Sequence, residues 1–153
     1  MDNDIENILS SLHSGQWYGF SDIHNKSFST LIIHDNVAGN TYLTEHGQPT
    51  QQDWDGWMLQ NIKNKKCGEI DTDTKNQILA LASEPKQRNL LAKAIEIQNK
   101  IRLGTNTIDD DNKLLEIENI WIQIETLINN GNNKEQQIQN ATTIEEINTI
   151  YES

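Results

Sequence analysis

At 153 residues, the chain suits one domain, or one small domain plus an appended helical element. A chain of this size buries roughly 70% of its unfolded surface, so a core is available without metal or disulfide. A formal charge of -11 repels phosphate and anionic lipid, no apolar run has the length of a membrane span, and the single Cys67 excludes an internal disulfide framework.

Met1 leads into the polar Asp2-Asn3-Asp4, which is unlike a signal peptide. Ile5, Ile8, Leu9 and Leu12 recur at i, i+3, i+4 and i+7, so residues 3–13 read as a short amphipathic helix stopped by Gly15. Trp17-Tyr18-Gly19-Phe20 reads as a strand or a packed loop. Ser27 to Ile33 alternates and then becomes β-branched, which predicts a strand. Asp35-Asn36 and Gly39-Asn40 have turn chemistry, and Thr41-Tyr42-Leu43-Thr44 is the expected return strand of a small antiparallel meander.

Pro49 and Thr50 announce a helix, with Thr50 as N-cap and Asp53 reaching back from the third helical position. Trp54, Trp57, Met58 and Ile62 share one face of it. Lys63, Lys65 and Lys66 suit its C-terminal end and Gly68 is its expected stop. Beyond about residue 70 strand signals vanish, which predicts an α+β domain over 1–70 and a helical domain over 71–153. The latter opens with a short helix at 71–83.

Pro85 begins the next helix, which ends at Leu103 with Gly104 beyond it. Thr107 and Asp110 form another cap signature. From Leu114 to Ile128 the apolar residues Leu114, Ile117, Trp121, Ile124 and Ile128 alternate spacings of three and four, a coiled-coil seam. Residues 86–102 are basic (Lys86, Arg88, Lys93, Lys100 and Arg102 against Glu96). Residues 109–129 are acidic (Asp109, Asp110, Asp111, Glu116, Glu118 and Glu125 against Lys113). A short connection between oppositely charged helices predicts an antiparallel hairpin over 86–129. Asn129-Asn130-Gly131-Asn132-Asn133 reads as a loop, and Thr143 with Glu146 caps a terminal helix over 143–151.

Motifs for chemistry are sparse. Asp71-Thr72-Asp73 opens like a calcium loop, but Lys75 takes an oxygen-ligand position, Asn76 replaces the turn glycine and Ala82 the closing glutamate. His13, His24, His34 and His46 lack metal-ligand spacing, and the Asp109–Asp111 run suits a helix N-terminus. Cys67 beside Lys65-Lys66 has basic neighbours that favour thiolate, yet no histidine is spaced to serve it. No nucleophile elbow or phosphate loop is present. The expectation is a protein with no catalytic, cofactor or metal site that works by protein–protein contact. Aromatic and apolar anchors are the candidates for that role: Trp54 and Trp57 in the front half, Trp121 and Ile124 behind.

Tyr42-Leu43-Thr44 followed by Gly47-Gln48-Pro49-Thr50-Gln51-Gln52-Asp53-Trp54-Asp55-Gly56-Trp57 resembles the signature of XkdW-type small phage tail proteins. In that family a strand pair leads into a P-T-Q-x-E-hydrophobic-x-x-W helix start; Pro49, Thr50, Gln51, Trp54 and Trp57 match, and Asp53 stands for the acid. The region from Arg88 through Gly104 to Leu127 is similar to helical hairpins of tail-fibre assembly and tail accessory proteins. The longer, Asn-rich front loops and the terminal helix depart from the pattern. The resemblance implies a tail accessory role, as assembly chaperone or minor tail component. Its partner would be another tail or fibre protein or a second copy of the chain through the hairpin, met in the host cytoplasm or in the virion. Two rivals remain: an acidic inhibitor that imitates nucleic acid, and an enzyme using Cys67.

Overall fold

A computed structural model describes residues 2–34 and 41–153. They form two compact units, Met1–Lys65 with Thr142–Ile144, and Lys66–Ala141 with Glu145–Ser153. The turn residues Asp35-Asn36 and Gly39-Asn40 lie outside the described residues. The architecture is α+β, with a two-stranded antiparallel sheet, a helical hairpin and a short terminal helix.

In the first unit, helix α1 (Asp2–Leu12) precedes strands β1 (Tyr18–Phe20) and β2 (Leu31–Ile33), which pair antiparallel with Tyr18 opposite Ile33 and Phe20 opposite Leu31. A 3₁₀ turn at Phe28–Thr30 shortens the expected strand, because the Thr30 hydroxyl accepts from Ser27 N–H and donates to Asn25 O, which favours a turn over an extended ladder. Trp17 is the fully buried centre. Its indole N–H donates to Leu9 O in the last turn of α1 at 3.0 Å, and its ring stacks on Tyr42 at 3.9 Å between centroids.

That stack explains one departure from the predicted meander. Residues Tyr42–His46 form a short helix, α2, and not a return strand. A single turn delivers Tyr42 to Trp17 while Leu43 joins the same core; tertiary packing overrides the β-propensity of Thr-Tyr-Leu-Thr. Gly47, with φ of 75°, ends α2. The cap at Thr50 forms as expected, Asp53 accepting from Thr50 N–H and hydroxyl at 2.7 Å each. It opens helix α3 (Gln51–Leu81).

Helix α3 runs through Gly68 without a break and absorbs the separate short helix predicted at 71–83. An interior glycine costs about 0.5–1 kcal/mol relative to alanine, and burial of Ile70 two residues on offsets this. Helix α4 (Glu84–Leu103) follows with Pro85 in its first turn and ends at Gly104, whose φ of 67° is left-handed. Thr107 and Asp110 close a capping box at the start of α5 (Ile108–Asn140), and α4 and α5 pack as the predicted hairpin. Helix α6 (Ile144–Glu152) ends the chain.

The expected loop at residues 129–133 is helical; α5 continues to Asn140. The buried residues of α5 show why. Asp110, Ile117, Ile124, Gly131 and Ile138 fall every seven residues, and seven residues return a helix to nearly the same face. At Gly131 a β-carbon would lie 2.7 Å from Thr74 Oγ1, so the missing side chain lets α5 approach α3 closely. The asparagines around it, Asn129, Asn130, Asn132 and Asn133, are exposed, where they cost the helix only propensity.

The two helical glycines therefore respond oppositely to alanine. Gly68 has open space around it, so Gly68→Ala should raise stability by about 0.5–1 kcal/mol. Gly131→Ala should lower it through the clash with Thr74, and Thr74→Ala in the same chain should restore it. Denaturant melts of the three variants check the pattern.

Candidate functional site

The four anchors expected from the sequence occupy different environments. Trp54 is buried in the first unit against Phe20 and Phe28, and Ile124 is buried in the seam of α5. Both serve the core. Trp57 packs edge-on to Trp17 and is half-buried, its outer edge lining a shallow cleft with Ile8, Leu12 and Gln60. Trp121 is half-buried on α5.

More apolar surface lies elsewhere on the hairpin. Ile108, Leu115 and Ile122 are spaced by seven along α5 and are 72%, 58% and 59% exposed. At 100° per residue, Leu115 sits about 160° around the helix from Ile117, so this stripe faces away from the seam. Leu91 and Ile95 make a further exposed pair, one turn apart on α4. Ile108, Leu115 and Ile122 were not singled out from the sequence, because only the position of the buried face shows which apolar residues are left over.

The charges of the hairpin bind differently from expectation. Asp110 joins α5 to α4 through Lys100 Nζ at 2.8 Å. The other ion pairs in the hairpin among the described residues lie within one helix: Lys93–Glu96, Lys100–Glu96 and Lys113–Glu116. Exposed pairs at this spacing contribute only a few tenths of a kcal/mol.

Cys67 lies on α3 and faces α5. Its thiol points toward Glu135 O at 3.9 Å and accepts from Gln139 Nε2 at 3.4 Å. Nearby, Lys66 sits 3.7 Å over the Tyr151 ring and bonds Glu69 at 2.8 Å. A groove of about 670 Å³ between α3, α5 and α6 is lined mainly by amides and hydroxyls, with Asp73, Lys134 and Tyr151 among them.

One constellation escaped sequence reasoning because its members are 32 residues apart. His13, the first residue beyond α1, reaches α2, where its Nε2 lies 3.3 Å from Glu45 Oε2 and His46 Nε2 lies 3.8 Å from the same oxygen. All three ligand atoms fall within 4.8 Å of one another. Thr41 donates its hydroxyl to Glu45 Oε1 at 2.5 Å, and this bond, ahead of the histidines, holds the Glu45 carboxyl below the usual carboxylate range. The missing signal was the contact between α1 and α2, hidden when residues 41–44 read as a strand.

No helix among the described residues is long and apolar enough to cross a membrane. No family of known proteins, no curated protein and no solved structure matches the chain.

Two carboxyls of the helical unit give opposite pH responses. The hydrogen bond from Lys100, then that from Thr107 N–H, holds Asp110 at about 2 against an ordinary 3.8. A depressed folded-state value means its contribution is complete above the ordinary value and lost as pH falls through about 2. Burial, reinforced by the neighbouring Asp71, pushes Glu135 up from 4.5; its ionisation destabilises the fold as pH rises through that raised value. Asp110→Asn should lower Tm at neutral pH, with the deficit fading in strong acid. Glu135→Gln should raise Tm at neutral pH and leave it nearly unchanged at pH well below the ordinary glutamate value. Calorimetry across pH checks both signs.

Proposed function

We propose that the chain is a phage tail accessory protein, an assembly chaperone or a minor tail component, which acts by holding an apolar patch of another tail or fibre protein against its hairpin. The observation that carries the reading is the outward stripe of Ile108, Leu115 and Ile122 with the neighbouring pair Leu91 and Ile95. Large side chains left in water at helical spacing suit an apolar partner surface, because burying each contributes about 1.5–3 kcal/mol. The acidic remainder of the surface keeps such a protein soluble while the stripe is open. The resemblance of Pro49 to Trp57 to a tail-protein signature supports the choice of partner. Trp54 and Ile124 act indirectly in this reading, by fixing the folds that present the stripe, and Trp57 and Trp121 offer their exposed edges.

Pull-down of tail and fibre proteins from the same genome tests it. The purified chain should retain at least one of them in high salt, because an apolar contact survives screening. Leu115→Asp with Ile122→Asp should abolish retention and leave the helical circular dichroism and Tm of the free chain unchanged. Failure to retain any tail protein, or retention that ignores the double substitution, contradicts the proposal. Inhibition of a nuclease that salt reverses would instead support the acidic imitator.

A further inference from the structure

The His13–Glu45–His46 cluster poses an electrostatic problem of its own. His13 Nδ1 lies 2.7 Å from Ser14 O and must donate to it, since a carbonyl only accepts. In the neutral ring this leaves Nε2 as a bare lone pair aimed at Glu45 Oε2, 3.3 Å away and itself an acceptor. The Thr41 hydroxyl lies 3.4 Å from that nitrogen but its hydrogen is given to Glu45 Oε1. Two acceptors held face to face call for a cation between them.

We propose that His13 Nε2, Glu45 Oε2 and His46 Nε2 bind a first-row transition cation, Zn²⁺ foremost, with water in the fourth position. Bonds of roughly 2.0–2.2 Å in a tetrahedron place neighbouring ligand atoms roughly 3.3–3.5 Å apart. The His13–Glu45 separation of 3.3 Å already has that value, and the remaining separations, 3.8 Å from His46 to Glu45 and within 4.8 Å from His46 to His13, close by movement of the half-exposed His46 side chain. The surrounding contacts are of the kind that prepare a metal site. A backbone carbonyl fixes the tautomer of His13, and Thr41 orients the carboxylate by its other oxygen. Two imidazoles in the set favour zinc and its neighbours over Ca²⁺ or Mg²⁺, which prefer all-oxygen shells. Bound metal would tie the end of α1 to α2 beside the Trp17–Tyr42 stack, because Tyr42 precedes Glu45 by one turn and packs edge-on to His13.

A proton shared by an imidazolium and the carboxylate is the competing solution. Untagged, chelator-treated full-length chain titrated with Zn²⁺ or Co²⁺, above the ordinary histidine pKa of about 6.5, separates the two. The expected result is one equivalent bound, intense visible bands of tetrahedral Co²⁺, and a Tm that climbs with zinc concentration. His46→Ala, at a side chain 50% exposed, should retain the fold and weaken affinity by more than about 100-fold, beyond the usual loss for an outer-shell partner. Glu45→Gln, also exposed, should do the same, and His24→Ala should change nothing. Absence of binding, or binding that survives both His46→Ala and Glu45→Gln, overturns the site.

Discussion

The seven-residue seam of α5 is the constraint on which the helical unit depends. A helix of 33 residues cannot be held by one neighbour alone when that neighbour, α4, has 20. The seam solves this by keeping one face buried along the whole length, from Ile117 and Ile124 through Gly131, which meets Thr74 of α3, to Ile138. Its first member is a carboxylate, Asp110, which suits a helix N-terminus and locks the turn through Lys100 and Thr107. Change of residue type along a constant spacing lets one helix meet both α4, through Asp110, and α3, through Gly131.

The first unit relies on a different device. Three-residue strands make too little ladder to stand alone, so aromatic packing holds them. Trp17 ties the last turn of α1 to α2 by one hydrogen bond and one stacked ring, and Trp54 closes the other side against Phe20 and Phe28. Placing Tyr42 on that stack leaves Glu45 and His46 on the same short helix beside His13. The polar cluster is thus a by-product of where the aromatic core puts α2.

Much of this was legible in the residues. The caps at Thr50 and Thr107, the left-handed stop at Gly104 and the α4–α5 hairpin each follow from local chemistry that the fold leaves unopposed. The misreadings have a common cause. Gly68 and the Asn-Gly-Asn run at 130–132 carry strong local preferences for ending a helix, yet buried Ile70 and the tight approach at Thr74 reward continuation, and neither contact is visible along the chain. Residues 41–44 failed for the same reason, their ring partner Trp17 being far away in sequence. The seam at Ile117 and Ile124 was plain from spacing, whereas the stripe of Ile108, Leu115 and Ile122 was not singled out, because only the depth of Ile117 and Ile124 shows which apolar residues face outward.

A continuous α5 decides how the helical unit is held, because its seam stays buried past Gly131 to Ile138. Amide hydrogen exchange at residues 129–133 addresses it directly. If the seam holds, these amides are protected to the same order as those of residues 117–124, because opening them requires separating α5 from α3. Exchange at rates typical of an unstructured asparagine-rich loop would break α5 at Gly131 and contradict the account.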